Sequence, residues 1–251
     1  MDSKLELLKA FYSGLPKDRA KVETGEHGFE YLDTMLSDGA TLEYGEMHRS
    51  GLLYKYKLSN IPGHRMNELL EAHIGKTCNV CLYFDDMANS IFCVNLDNNH
   101  KMNNTVLIPE MNLAVRLLME HLTRLGCEPL VIASGRGYHL WCRLAVSFGN
   151  KEIHNFLLRS MAVTLAGLHK QGFDYNNIKA NFYPDPRVRD AVSLRLYGSN
   201  HAKNKVFSHV FTPEGLLDEE ASWKAFENHL NQKTVAEAQF REACDFMMRA
   251  F

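Results

Sequence analysis

Residues 91–100 read Ile91-Phe92-Cys93-Val94-Asn95-Leu96-Asp97-Asn98-Asn99-His100. The first four are bulky and apolar, the composition of a strand buried on both faces. The run then alternates through Asn95, Leu96 and Asp97. Side chains of a strand repeat every two residues, so Asn95 and Asp97 share one face and Leu96 takes the other. Oxygen-bearing side chains at that spacing suit Mg²⁺ or Mn²⁺, hard cations that combine carboxylates with phosphate oxygens. Asp97-Asn98-Asn99 is equally ordinary turn chemistry closing a strand.

Upstream, 78–84 is a second apolar run, separated from 90–97 by Asp85-Asp86, and the two together predict a hairpin of buried strands. Helices are expected over 4–12, 28–37 and 65–74, with two strands over 41–58 around Arg49-Ser50-Gly51. Downstream, Pro109 opens a helix carrying Leu113, Leu117, Leu118, Leu122 and Leu125, stopped by Gly126. Residues 129–134 and 138–146 form another strand pair, and 151–169 a helix with Ile153, Leu157, Met161, Leu165 and Leu168 along one side. Short extended pieces fill 180–211, and helices over 214–229 and 233–250 follow. Their apolar residues (Trp223, Phe226, Leu230, Phe240, Phe246, Met247) are expected to pack on the chain's own core. Strands and helices mix without strict βαβ alternation, which indicates α+β rather than a doubly wound sheet.

The chain has 251 residues and a formal charge of −2, which by itself argues against a polyanionic partner. Its distribution argues otherwise. Residues 1–133 carry −5, residues 134–205 carry +7 and residues 206–251 carry −4. Fields act locally, because distant charges are screened within ~8–10 Å. No run approaches the ~18 apolar residues of a membrane span, and no basic stretch with an apolar core opens the sequence. A cytoplasmic or nucleoid location, not a secreted one, and no membrane partner are therefore expected. The six cysteines read as buried reduced thiols. Cys78-Asn79-Val80-Cys81 has zinc-knuckle spacing, with only His73 and Cys93 as further donors and no second CxxC, so a structural zinc is not expected.

Two more segments carry chemistry. Ala133-Ser134-Gly135-Arg136-Gly137-Tyr138-His139-Leu140-Trp141 places two glycines around an arginine after a strand. Such a turn lets backbone approach an anion, with Ser134 and His139 beside it. A plain glycine hairpin has the same pattern, and the Walker spacing is absent. Tyr183-Pro184-Asp185-Pro186-Arg187-Val188-Arg189-Asp190 is followed by Arg195, Ser199, His201 and Lys203, four donors within nine residues around a turn. A polyanion is their natural partner.

In order and spacing the three segments resemble the motifs of the archaeo-eukaryotic primase superfamily, the primases and primase–polymerases. That family's first motif is an apolar strand ending DxD. Its second is SGxxxH-like, matched by Ser134 to His139. Its third is an aspartate followed by R-L-x-G-S-x-H-x-K, matched by Asp185-Pro186-Arg187-Val188 and then by Arg195 to Lys203. The resemblance covers about residues 80–210. It implies a primase-like catalytic core over 78–212 with an RRM-like sheet, packed with an N-terminal α/β part over 1–77, and C-terminal helices over 213–251. It further implies that Asp97 and Asp185, with position 95, hold two Mg²⁺ or Mn²⁺ ions for attack of a 3′-hydroxyl on an α-phosphate. Ser134, Gly135, Arg136, His139, Arg195, Ser199, His201 and Lys203 would bind the triphosphate. The implied partners are nucleoside triphosphates and single-stranded DNA template and primer, with a helicase or accessory primase subunit left open.

One departure bears on the chemistry. The first acidic position of the motif is Asn95, which offers a neutral oxygen and cannot offset metal charge. Asp85 or Asp86 are candidate substitutes, and Tyr138 or Tyr197 candidate sensors of the sugar. Two expectations result: a template-dependent nucleotidyltransferase impaired at Asn95, or a nucleotide- or DNA-binding protein that does not polymerise. A metal-dependent phosphodiesterase using His100 is a weaker third. Part of the +7 would face triphosphate, so template binding is expected to be weak and salt-sensitive.

Overall fold

The structure, a computed structural model, describes residues 2–25, 31–47, 54–98, 109–188, 193–201 and 205–249. The expected turn at 49–51, the start of the 28–37 helix, His100 and Lys203 lie outside these residues. The chain forms two compact units, one of 1–85 with 190–208 and one of 86–189 with 209–251. The segment 190–208 belongs with the first unit although most of the second precedes it in sequence.

In the first unit the chain runs α1 (Asp2–Phe11), β1 (Ala20–Thr24), α2 (Leu32–Ser37), β2 (Thr41–Met47), β3 (Tyr54–Ser59), α3 (Gly63–Ile74) and β4 (Cys78–Tyr83). In the second it runs β5 (Ala88–Asn98), α4 (Pro109–Arg124), β6 (Leu130–Ala133), β7 (Gly137–Gly149), α5 (Asn150–Lys170) and β8 (Ile178–Tyr183). It returns to the first as β9 (Ser193–Arg195), then ends in the second with β10 (Phe211–Thr212), β11 (Gly215–Leu216), α6 (Glu219–Gln232), β12 (Thr234–Val235) and α7 (Glu237–Arg249). Both larger sheets are antiparallel apart from β12, which joins β7 in parallel.

The first unit's sheet has the order β2-β3-β1-β4-β9. Register places Ala20, Val22, Leu58, Val80 and Leu82 on one face, all nearly inaccessible to water. Buried Leu8, Phe11, Met66, Leu69 and Leu70, from α1 and α3, complete this core. The other face carries the row Lys57, Lys21, Cys81 and Arg195 across four strands. The expected hairpin of 78–84 with 90–97 does not form. β4 pairs with β1 and β9, whereas β5 pairs with β7 and β8. Composition identified both as buried strands, but a short acidic link does not specify pairing.

The second unit is a β-α-β-β-α-β arrangement, β5-α4-β6-β7-α5-β8, with β7 pairing β6 and β5, and β5 pairing β8. Phe92, Val94, Leu96, Leu140, Cys142 and Phe182 point to one face and enter the core with residues of α4, α5 and α7. On α4 the fully buried stripe is Met111, Ala114, Val115, Leu118 and Leu122, while Leu113, Leu117 and Leu125 pack at its margin. That difference is a rotation of the expected stripe, since leucine is also tolerated at a partly exposed flank. α6 starts at Glu219, not 214, because Asp218 caps it: its carboxylate accepts the Ala221 N–H at 2.8 Å. Trp223, Phe226, Phe240 and Met247 pack inward as expected, whereas Phe246 is exposed. All six cysteines are free thiols and buried. Among the described residues no helix is long and apolar enough to cross a membrane.

Candidate functional site

β5 is central to the site because both its neighbours are antiparallel strands and one of its faces is polar at the end. Asn95 lies opposite His139 on β7 and Asn181 on β8; Asp97 lies opposite Gly137 and Lys179. Residues directly opposite in an antiparallel ladder share a face. Asn95 and Asp97 therefore do stand together, and the Asn95 Nδ2 donates to Asp97 Oδ2 at 3.3 Å. Asn95 is buried, and its Oδ1 has no hydrogen-bond partner among the described residues.

The turn from β6 to β7 closes over this end of β5. The Ser134 N–H donates to the Gly137 carbonyl at 2.8 Å, and Gly135 takes φ +92°. At Gly137 a Cβ would lie 1.8 Å from the Leu96 carbonyl oxygen, so only glycine permits this approach. With no side chain there, the space beside Asp97 is left to Arg136, whose Nη2 lies 3.8 Å from Asp97 Oδ2. Arg136 is 41% exposed, whereas Ser134 and His139 are buried. The four positions expected to form an anion cradle are thus contiguous with Asn95 and Asp97. Such a group can hold phosphate oxygens by charge-assisted hydrogen bonds.

Asp185 departs from expectation. Tyr183, the last residue of β8 in register, pairs with Cys93, so the chain leaves the sheet at the Cys93 level of β5. Asp97 is four residues further on, ~13 Å along the strand. Asp185 is instead held by Arg187, Nε to Oδ1 at 2.8 Å and Nη2 to Oδ2 at 2.7 Å. These bonds keep its carboxyl below the usual range despite partial burial. The residues that do face Asn95 and Asp97 from β8 are Asn181 and Lys179, which sequence reading passed over. Their signal was the alternation Lys179-Ala180-Asn181-Phe182 before Tyr183-Pro184. Asp85 and Asp86 precede β5, and its first nine residues, Ala88 to Leu96, separate them from Asp97 along the strand, so register does not set either beside it.

The remaining candidates belong to the first unit. Arg195 is buried opposite Cys81, and His201 is half-buried. Ser199 is buried, and its Oγ donates to the Cys78 carbonyl at 3.2 Å. Tyr197 is buried, as is Tyr138, whose hydroxyl donates to Asn112 Oδ1 at 2.7 Å from the core side of the sheet. Neither is placed as a sugar sensor. His73 accepts the Val80 N–H at Nδ1 and bonds the Tyr197 carbonyl through Nε2, which commits both ring nitrogens. Burial pushes the thiols of Cys78 and Cys81 up to about 12 and about 11.

No family model and no curated protein matches this chain. Among solved structures it is similar to the polymerase domain of Mycobacterium tuberculosis ligase D in complex with DNA, with a TM-score of 0.51 and 11% identity. The match covers 99% of this chain and 87% of the other. At that identity the likeness is one of fold alone, a mixed α/β arrangement. The two-ion centre that the motif resemblance implies does not suit the described residues at this end of β5. Among the described residues the polar end of β5 offers one carboxylate, Asp97, beside one neutral amide, with a cation on each flank. Among the described residues no three His, Cys, Asp or Glu side chains gather where an ion could sit. Divalent ions at phosphoryl-transfer sites are held by one or more carboxylates plus substrate oxygens, and a second ion needs more than one anion.

Proposed function

We propose that this chain binds nucleoside triphosphate and DNA on a primase–polymerase-type fold, without the two-metal phosphoryl transfer of that class. The observation that carries this reading is the polar end of β5, where Ser134, Arg136 and His139 adjoin Asn95 and Asp97, and Asp97 is the one carboxylate there among the described residues. The triphosphate would lie along the β6–β7 turn, its phosphates toward Arg136. The DNA component is supported by the +7 segment of residues 134–205 and by the likeness to a polymerase domain in complex with DNA. Calorimetric titration of the full chain with ATP and dATP tests it. Binding should be measurable, and Arg136→Ala should weaken it about tenfold, the worth of one charge-assisted contact.

A second reading is template-dependent nucleotidyl transfer, by priming or extension. The likeness over nearly the whole chain to a polymerase domain favours it, as does the unpartnered Asn95 oxygen. Labelled nucleotide incorporation on primed and unprimed single-stranded DNA with Mn²⁺ separates the two. Product from the unaltered chain establishes transfer and removes the binding-only reading.

A further inference from the structure

The strand register puts a lysine where the polar face would need a further acid. β5 runs between β7 and β8, so Asp97 has Gly137 on one side and Lys179 on the other. Arg136 leans toward Asp97 over the glycine side, and exposed Lys179 stands on the β8 side. Directly opposite residues have Cβ atoms roughly 5 Å apart, which brings the lysine's flexible stem within reach of the same ligand atoms. One step along, Asn95 faces Asn181, a neutral pair. Among the described residues the group on these three strands and the β6–β7 turn therefore comprises one anion, two cations and two amides, a balance opposite in sign to that of an ion-binding centre.

We propose that Lys179, with Arg136, takes the place of a divalent cation on this face, so that triphosphate binds there without metal. This rests on the nucleotide-binding reading above. A guanidinium leaning on Asp97 and an ammonium on the opposite strand supply the chain's own positive charge to phosphate oxygens. The buried Asn95 oxygen remains an acceptor for a ligand hydroxyl or amine. In a metal-dependent site the triphosphate arrives with its ion; here the counter-charge is part of the chain.

The full chain is titrated with ATP in Mg²⁺ and again in EDTA, and Mn²⁺ alone is titrated by electron paramagnetic resonance. Affinity in EDTA should stay within about threefold of that in Mg²⁺, and Mn²⁺ should remain free. Lys179→Gln should weaken binding in EDTA about tenfold, while Lys179→Arg retains it. Lys179 is exposed, so its replacement leaves thermal unfolding unchanged. In N95D/K179D, bound Mn²⁺ should become detectable and nucleotide binding should require it. Stoichiometric Mn²⁺ on the unaltered chain, or loss of ATP binding in EDTA with binding in Mg²⁺, overturns the inference and leaves the nucleotide site standing. Absence of ATP binding under both conditions overturns the nucleotide reading itself.

Discussion

A single buried imidazole sets a pH limit on this fold. His73 is fully enclosed, and burial pushes its pKa down to about 4 although its Nε2 meets the Tyr197 carbonyl at 3.0 Å. In the unfolded chain the same group titrates near 6.5. Between those values the unfolded state binds the proton and the folded state does not. Stability from this residue is therefore complete above about pH 6.5 and is lost as pH falls toward 4, by about 3 kcal/mol in all. His229, also pushed down to about 4 chiefly by burial, adds a loss over the same window. Urea unfolding at a series of pH values should show the free energy falling steadily from pH 7 to 4.5. A flat profile across that range would contradict the neutral, enclosed state of both residues.

Elements were legible in the sequence to the extent that their information is local. β5, β7 and the turn before Tyr138 follow from alternation and from glycines at 135 and 137, and the pairing of β6 with β7 follows from the shortness of that turn. Asn95 and Asp97 on one face needed only the two-residue period. Pairing partners distant in sequence were not legible: β4 goes to β1 and β9, and β8 slides so that Lys179, not Asp185, meets Asp97. Register is decided by which apolar side chains reach the core, here Phe182 and Ala180 beside Val94 and Leu96. The acid nearest in sequence to the arginines is thus not the residue that register sets opposite Asp97. α7 illustrates the same dependence on distant packing. Its Phe240 is fully buried among Phe92, Phe148 and Phe156, at centroid distances of 5.8, 4.6 and 5.1 Å. Phe240→Ala should cost about 3–5 kcal/mol and lower the melting temperature by roughly 10 °C, as differential scanning calorimetry would record. A shift under a degree or two would mean that α7 is not part of the core it seals.

At the scale of the molecule, the chain's path makes the first unit depend on residues synthesised after most of the second. β9 covers the edge of β4, and the residues around it satisfy groups already buried there. The Leu196 N–H donates to the Val80 carbonyl at 3.0 Å, and the Tyr197 N–H to the Tyr12 hydroxyl at 3.1 Å. The Tyr197 carbonyl meets His73, and Ser199 meets Cys78. Buried Leu194, Leu196, Tyr197 and Phe207 fill the same unit. Without them a fragment of residues 1–85 has an open apolar face and several polar groups without partners, each costing about 1–3 kcal/mol. Such a sum is comparable to the whole stability of a domain, about 5–15 kcal/mol. The fragment should show no cooperative thermal transition by circular dichroism, and rapid hydrogen exchange along β4. Residues 190–208 joined to it through a flexible linker should restore both the transition and the protection. A fragment of 1–85 that melts cooperatively on its own would show that β9 decorates the sheet instead of completing it. The same dependence ties the basic residues to folding. Of the +7 carried by residues 134–205, Arg136 and Lys179 take their places with the second unit, whereas Arg195 is set only when β9 docks in the first. Restoring β9 should therefore restore Arg195 to its buried position beside Cys81, which protection of its backbone amide would report.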